Sequence, residues 1–193
     1  PKWFSQYHYI SIVIGAKIVS ALQTITSRML DPLQAAVVSI TNFKTNGSTN
    51  IIASEVEITG DCRSFNEDVQ NLISNKMENL VHSLCEAFGA SYEFNYQKLF
   101  YPTINTPLET KAATKAAVAI NGNKKVNSNC SPLTASEDFS SMLRVKPGAY
   151  VLIGNGINSK GGRVLHNQNY DFNDDILQTG MDYWVRLTEQ ELN

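Results

Sequence analysis

Across Asn66 the hydrophobic period of this chain switches from two to 3.6, and no other stretch constrains the fold as much. From Glu55 to Phe65, Val56, Ile58, Gly60, Cys62 and Ser64 point one way, while Glu57, Thr59, Asp61 and Arg63 point the other. That alternation predicts a strand with one buried and one polar face. Asn66 then offers a helix N-cap, and Glu67 and Asp68 sit where the helix dipole favours acids. Val69, Leu72, Ile73, Leu80, Leu84 and Phe88 form an apolar stripe that Gly89 terminates. A half-buried strand that runs directly into an amphipathic helix has to lay that helix across its own apolar face.

The flanking segments extend the pattern. Ile14, Ile18, Leu22, Ile25 and Met29 recur at helical spacing until Asp31-Pro32. Ala35 to Phe43 reads as a strand, Asn46-Gly47 as a turn, and Tyr92, Phe94 and Tyr96 as the apolar face of another strand. Helix, strand, strand, helix, strand is the order of a split βαβ (ferredoxin-like) sandwich lacking its first strand.

Beyond Tyr101-Pro102 the character changes. Thr106-Pro107-Leu108-Glu109 predicts a capping box opening an alanine-rich helix to about Ile120. A short helix from Ser136 follows, then an apolar strand within Pro147–Gly154, a loop over 154–162, and a last helix capped by Asn173. On that last helix Leu177, Met181, Trp184 and Leu187 share one face. The fold class expected is α+β over residues 1–103, followed by an α/β segment over 104–193.

The chain has 193 residues, enough to bury a core, and its net charge of −2 supplies no field for phosphate backbones. Without a basic aromatic strand motif, RNA binding by the split βαβ unit is a weak reading. The apolar run Ile10–Val19 is too short to cross a membrane. Cys62, Cys85 and Cys130 are odd in number and widely spaced, which suggests core or inert thiols in a reducing, cytoplasmic setting.

Several motifs in fixed order carry a family resemblance. They are the helix from Ile14 to Arg28 with Asp31-Pro32-Leu33, Thr49-Asn50-Ile51-Ile52, and Gly60-Asp61-Cys62-Arg63-Ser64-Phe65. Downstream come Ser136-Glu137-Asp138-Phe139 and the stretch from Leu165-His166 to Asp174. Together they resemble the amidohydrolase branch of the M20 metallopeptidases, which includes hippurate, N-acyl-amino-acid and auxin-conjugate hydrolases. Ala53 stands where that family usually carries proline, and the Gly-His-x-x-x-Pro stretch usual before the first helix is replaced by Pro1–Tyr9.

The resemblance implies a satellite (lid, dimerisation) domain over 1–103 and the C-terminal segment of a zinc-peptidase-like catalytic domain over 104–193. It implies that His166 binds one metal of a zinc or manganese pair, and that Asn50 and Arg63 reach an N-acyl amino acid from the lid. Arg63 has a second reading, as partner of Glu57 or Asp61 on the polar strand face, and Asn50 a second reading as a turn residue near Gly47. Glu137 and Asp138 read as acids of a first helical turn rather than catalytic groups, and His82 and His8 as solvated.

A two-metal hydrolase draws on about four or five His and carboxylate ligands, and this chain has three histidines. The expectation is therefore a truncated or split amidohydrolase, silent by itself, with no catalytic residue and no stably held metal of its own, and self-associating as a homo-oligomer. The alternative is a non-catalytic dimerisation module or gene remnant.

Overall fold

The computed structural model describes residues 10–157 and 160–192. The chain divides into two compact units, Pro1–Pro102 with Thr134–Ser136, and Thr103–Leu133 with Glu137–Asn193.

In the first unit, helix α1 (Ser11–Thr24) runs into a π-helical turn at Ile25–Met29, strands β1 (Ala36–Thr45) and β2 (Val56–Ser64) form an antiparallel ribbon, and helix α2 spans Glu67–Ala87. The apolar stripes meet as their spacing predicts. Ile14, Ile18, Leu22 and Ile25 of the first helix and its turn pack with Val38, Val69, Ile73 and Cys85, and Ile58 and Cys62 of β2 close against them. Glu57 and Arg63 stay exposed, so the register read from the alternation holds. Asn66 caps α2 by accepting from the backbone N–H groups of Asp68 (2.7 Å) and Val69 (3.4 Å).

Two glycines set how closely the layers approach. A Cβ on Gly60 would lie 2.4 Å from the Ser39 carbonyl oxygen, inside contact distance. Beside it Thr41 is bulged out of β1, between the pairs Ile40–Gly60 and Asn42–Thr59, which adds local twist. On α1, a Cβ at Gly15 would meet the Phe43 ring and Val56 at 3.0 Å, so the bare backbone lets the helix settle onto the ribbon.

The second unit holds helices α3 (Pro107–Asn121), α4 (Phe139–Leu143) and α5 (Leu177–Leu192), with α3 lying against α5. Ala113 and Ala116 pack on Tyr183, with Ala117, Ile120, Ala149 and Leu187 around them. The buried face of α5 therefore runs through Tyr183 and Leu187. Leu177, Met181 and Trp184, which the spacing places on one face with Leu187, are exposed, Trp184 by 64%. A stripe of apolar residues identifies a face wanting cover, but the small side chains of α3 select Tyr183 for close packing.

Three expectations change. The capping box at α3 takes another form: the Thr106 hydroxyl donates to the Glu109 carboxylate and accepts from the Gly148 N–H at 3.0 Å. The strands expected at Tyr92–Tyr96 and Tyr150–Ile153 belong to no ladder, β1 and β2 being the ladder strands among the described residues. A strand exists through its neighbours, and these segments have strand composition without a ladder partner. Tyr150 instead uses a side chain: Asn105 accepts from its N–H at 2.8 Å and donates to its carbonyl at 2.9 Å.

No helix among the described residues is long and apolar enough to cross a membrane. Ile73 is fully buried whereas its neighbour Leu72 is 38% exposed. Ile73→Ala is expected to cost about 3 kcal/mol in urea unfolding and Leu72→Ala less than about 1 kcal/mol, reflecting the difference between a buried and a half-exposed site. Equal losses would mean that α2 is rotated about its axis.

Candidate functional site

The hairpin of the first unit holds two of the expected site residues, at opposite ends. Asn50 lies in the loop joining β1 to β2, exposed, with its side-chain oxygen accepting from the Ser48 hydroxyl at 3.3 Å. Asn46 braces the same loop by accepting from Ser54 N–H (3.0 Å) and donating to the Ser54 hydroxyl (2.8 Å). Arg63 sits at the far end of β2. The run from Val56 to Arg63 spans about 24 Å at the ~3.4 Å rise of an antiparallel strand. A hairpin puts its loop at one end, so the pair does not meet on one spot of this unit.

Arg63 is held on two sides. Its Nε lies 2.6 Å from Asp61 Oδ2, and its Nη1 donates to the Thr134 carbonyl. Residues i and i+2 of a strand share a face, so the pairing with Asp61, one of the two readings of Arg63, follows from the alternation. Glu57 pairs across the ribbon with Lys44 in the strand register.

Behind this face, Cys62 points into the core and packs its sulfur 3.6 Å from that of Met77. Burial, chiefly, together with the Asp61 charge, pushes the Cys62 thiol up to about 11, against a partly offsetting hydrogen bond from Tyr96. Tyr96 in turn is pushed to about 12, mainly by burial. The Tyr96 segment, though outside any ladder, thus places its aromatic side chain against β2.

In the second unit, Glu137 precedes α4 rather than lying in its first turn. The hydrogen bond from Tyr150, followed by one from Asp138, holds the Glu137 carboxyl below its ordinary range, and the same contact raises Tyr150. The Tyr150 ring also lies 5.6 Å from that of Phe139. The sequence assigned Glu137 to the helix dipole, but α4 is too short for that, and the carboxylate instead accepts from the Phe139 N–H at 3.5 Å. Nothing in the spacing of residues 137 and 150 announced this pairing.

His166 is exposed, in a turn where Asn167 N–H bonds to Val164 O (3.3 Å) and Tyr170 N–H to Asn167 O (2.8 Å). Its φ of 68° is the one positive value outside glycine among the described residues. That left-handed backbone is uncommon for a residue with a Cβ and costs about 1–2 kcal/mol. His82 is solvated, with Glu86 3.7 Å away and the Tyr92 ring 5.9 Å away. His8 lies outside the described residues.

Among the described residues no three His, Cys, Asp or Glu side chains gather where a metal could be held. His166 by itself does not fit a two-metal centre.

A ribbon backed by two helices, followed by a second helical unit carrying an αL histidine, is an arrangement with close structural relatives. A methicillin-resistant Staphylococcus aureus protein matches with a TM-score of 0.77 and 26% identity over 92% of this chain and 44% of its own. The Bacillus subtilis YXEP protein, described as a dinuclear metal-binding peptidase of family M20, shares the fold, with a TM-score of 0.74 and 24% identity over 94% and 46%. The model of peptidase family M20/M25/M40 matches residues 7–190. The chain belongs to this family.

Thermostable carboxypeptidase 2 of Saccharolobus solfataricus is 33% identical over 172 residues, 88% of this chain and 42% of the relative. Hippurate hydrolase of Campylobacter jejuni is 30% identical over 176 residues, 91% and 45%. The N-acyl-L-amino acid amidohydrolase of Geobacillus stearothermophilus is 42% identical over 95 residues, 49% and 26%. The chain thus spans less than half the length of these curated relatives.

The thiols carry a prediction with a defined sign. Cys62 ionises near 9.0 in an open chain and near 11 when folded. Between those values the unfolded state gives up its proton first, so this thiol's contribution to stability falls as pH rises through that window. At pH 8.5, alkylation followed by mass spectrometry should label exposed Cys130 well before half-buried Cys62 and buried Cys85. Cys62 reacting as fast as Cys130 would place it outside the core.

Proposed function

We propose that this chain is part of a metal-dependent amidohydrolase that cleaves the amide bond of N-acyl amino acids. The observation that carries the reading is the family match across residues 7–190. Relatives named hippurate hydrolase, N-acyl-L-amino acid amidohydrolase and N-acetylcysteine deacetylase support the substrate class. All three names describe a carboxylate-bearing amide.

In this reading the first unit is the satellite domain, a split βαβ arrangement in which Tyr92–Tyr96 takes the place of a third strand. The second unit is the C-terminal segment of the catalytic domain. Arg63 receives the substrate carboxylate, for which a planar guanidinium is suited, and Asn50, at the opposite end of the hairpin, could contact only a substrate molecule other than the one held at this Arg63. His166 offers an imidazole to a zinc or manganese ion, and its strained backbone supports a functional role, since such strain concentrates at sites. The remaining ligands and the general base are not assigned to this chain, so turnover by the chain alone is not expected.

Purified alone with added zinc or manganese, the chain should release no benzoate from hippurate and should lose bound metal to mild chelation. Turnover, or stoichiometric metal that resists chelation, would show that additional ligands gather around His166.

Self-association is the second part of the proposal. It is supported by exposed apolar side chains such as Leu152 (60%) and Trp184 (64%) and by the cost of such exposure, about 25 cal/mol per Å². Sedimentation at micromolar concentration should give a homo-oligomer, most simply a two-fold dimer. A stable, well-folded monomer would rule this out.

A further inference from the structure

We propose that Asp61 is a positioning residue for Arg63, fixing the plane of its guanidinium so that the open side of the fork receives a carboxylate. The proposal rests on the reading of Arg63 as the carboxylate anchor and goes beyond it by assigning a role to a residue that does not itself touch substrate.

The geometry supports this in three ways. Asp61 and Arg63 share the solvent face of β2, and the residues paired with them on β1 are Ser39 and Val37, neither of which competes for either charge. The 2.6 Å contact takes the Nε–H, and the Thr134 carbonyl takes one Nη1–H, so the guanidinium is gripped at two separate nitrogens. An arginine has five N–H donors. Two on Nη2 and one on Nη1 make no hydrogen bond among the described residues, enough for one carboxylate.

The two side chains are 42% and 51% exposed, and an exposed pair adds little to stability. The effect of Asp61 therefore lies in orientation: a guanidinium already immobilised loses less rotamer freedom when a ligand arrives.

The alternative role for the same carboxylate is a counter-ion that competes with the ligand, and two substitutions separate them. Asp61→Asn keeps an oxygen that accepts from Nε but removes the charge, whereas Asp61→Ala removes both. Hippurate binding to the whole chain, followed by titration, is expected to weaken about 3- to 10-fold in D61A, the cost of immobilising one long side chain on binding, and to stay near wild type in D61N. Tighter binding in both variants, or no change in D61A, overturns the proposal.

Arg63→Ala tests the underlying reading separately. If wild type binds hippurate and R63A binds it equally well, Arg63 is not the anchor, whatever Asp61 does. Hydrogen exchange at the Arg63 Nε–H, followed by NMR without ligand, reads the positioning directly. Slow exchange in wild type and D61N with fast exchange in D61A supports it, and equal rates in all three overturn it even where no hippurate binds.

Discussion

A two-stranded ribbon is marginal in water, and the first unit depends on how this one is covered. The apolar side of β1 and β2 is buried by the α1 stripe and by Val69 and Ile73 of α2, with Ile25 and Ile73 fully enclosed. Because side chains alternate, covering one face fixes the other: Glu57, Asp61 and Arg63 must face outward together. The Thr41 bulge and the Gly60–Ser39 contact then pin the register, since a one-residue slip would bring Asp61 and Arg63 into the core and expose Cys62. The proposed anion-binding face is thus the solvent side of the hydrophobic packing.

This explains which features were legible beforehand. The Asn66 cap, the alternation from Val56 to Ser64 and the α1 stripe are local signals, and the structure keeps each of them. What failed depends on neighbours. Tyr92–Tyr96 and Tyr150–Ile153 have strand composition, but a ladder needs a second backbone. Which part of α5 is buried was not legible, because a stripe of large apolar residues does not say which neighbour has small side chains to receive them. Alanines at 113 and 116 decided in favour of Tyr183.

The candidate site shows the same division. That Arg63 pairs with Asp61 could be read from their spacing on one strand. That Asn50 and Arg63 stand at opposite ends of the hairpin follows equally from the strand assignment, yet the motif resemblance alone suggested two residues with one task. The Glu137–Tyr150 contact and the αL backbone at His166 left no mark in the sequence pattern, because each is set by how the chain turns back on itself.

The clamp at the start of the second unit makes its strand-like segment one-sided. Alternate residues of an extended chain present their backbone groups to opposite edges. Gly148 bonds to Thr106, and Tyr150 bonds to the Asn105 amide through both its N–H and its carbonyl. That edge is already closed, and it is closed by a side chain imitating a neighbouring backbone. The edge formed by Ala149 and Val151 has no such imitation among the described residues. Growth of a sheet from this segment therefore has a single permitted direction, much as a zipper with one end sewn shut opens only from the other.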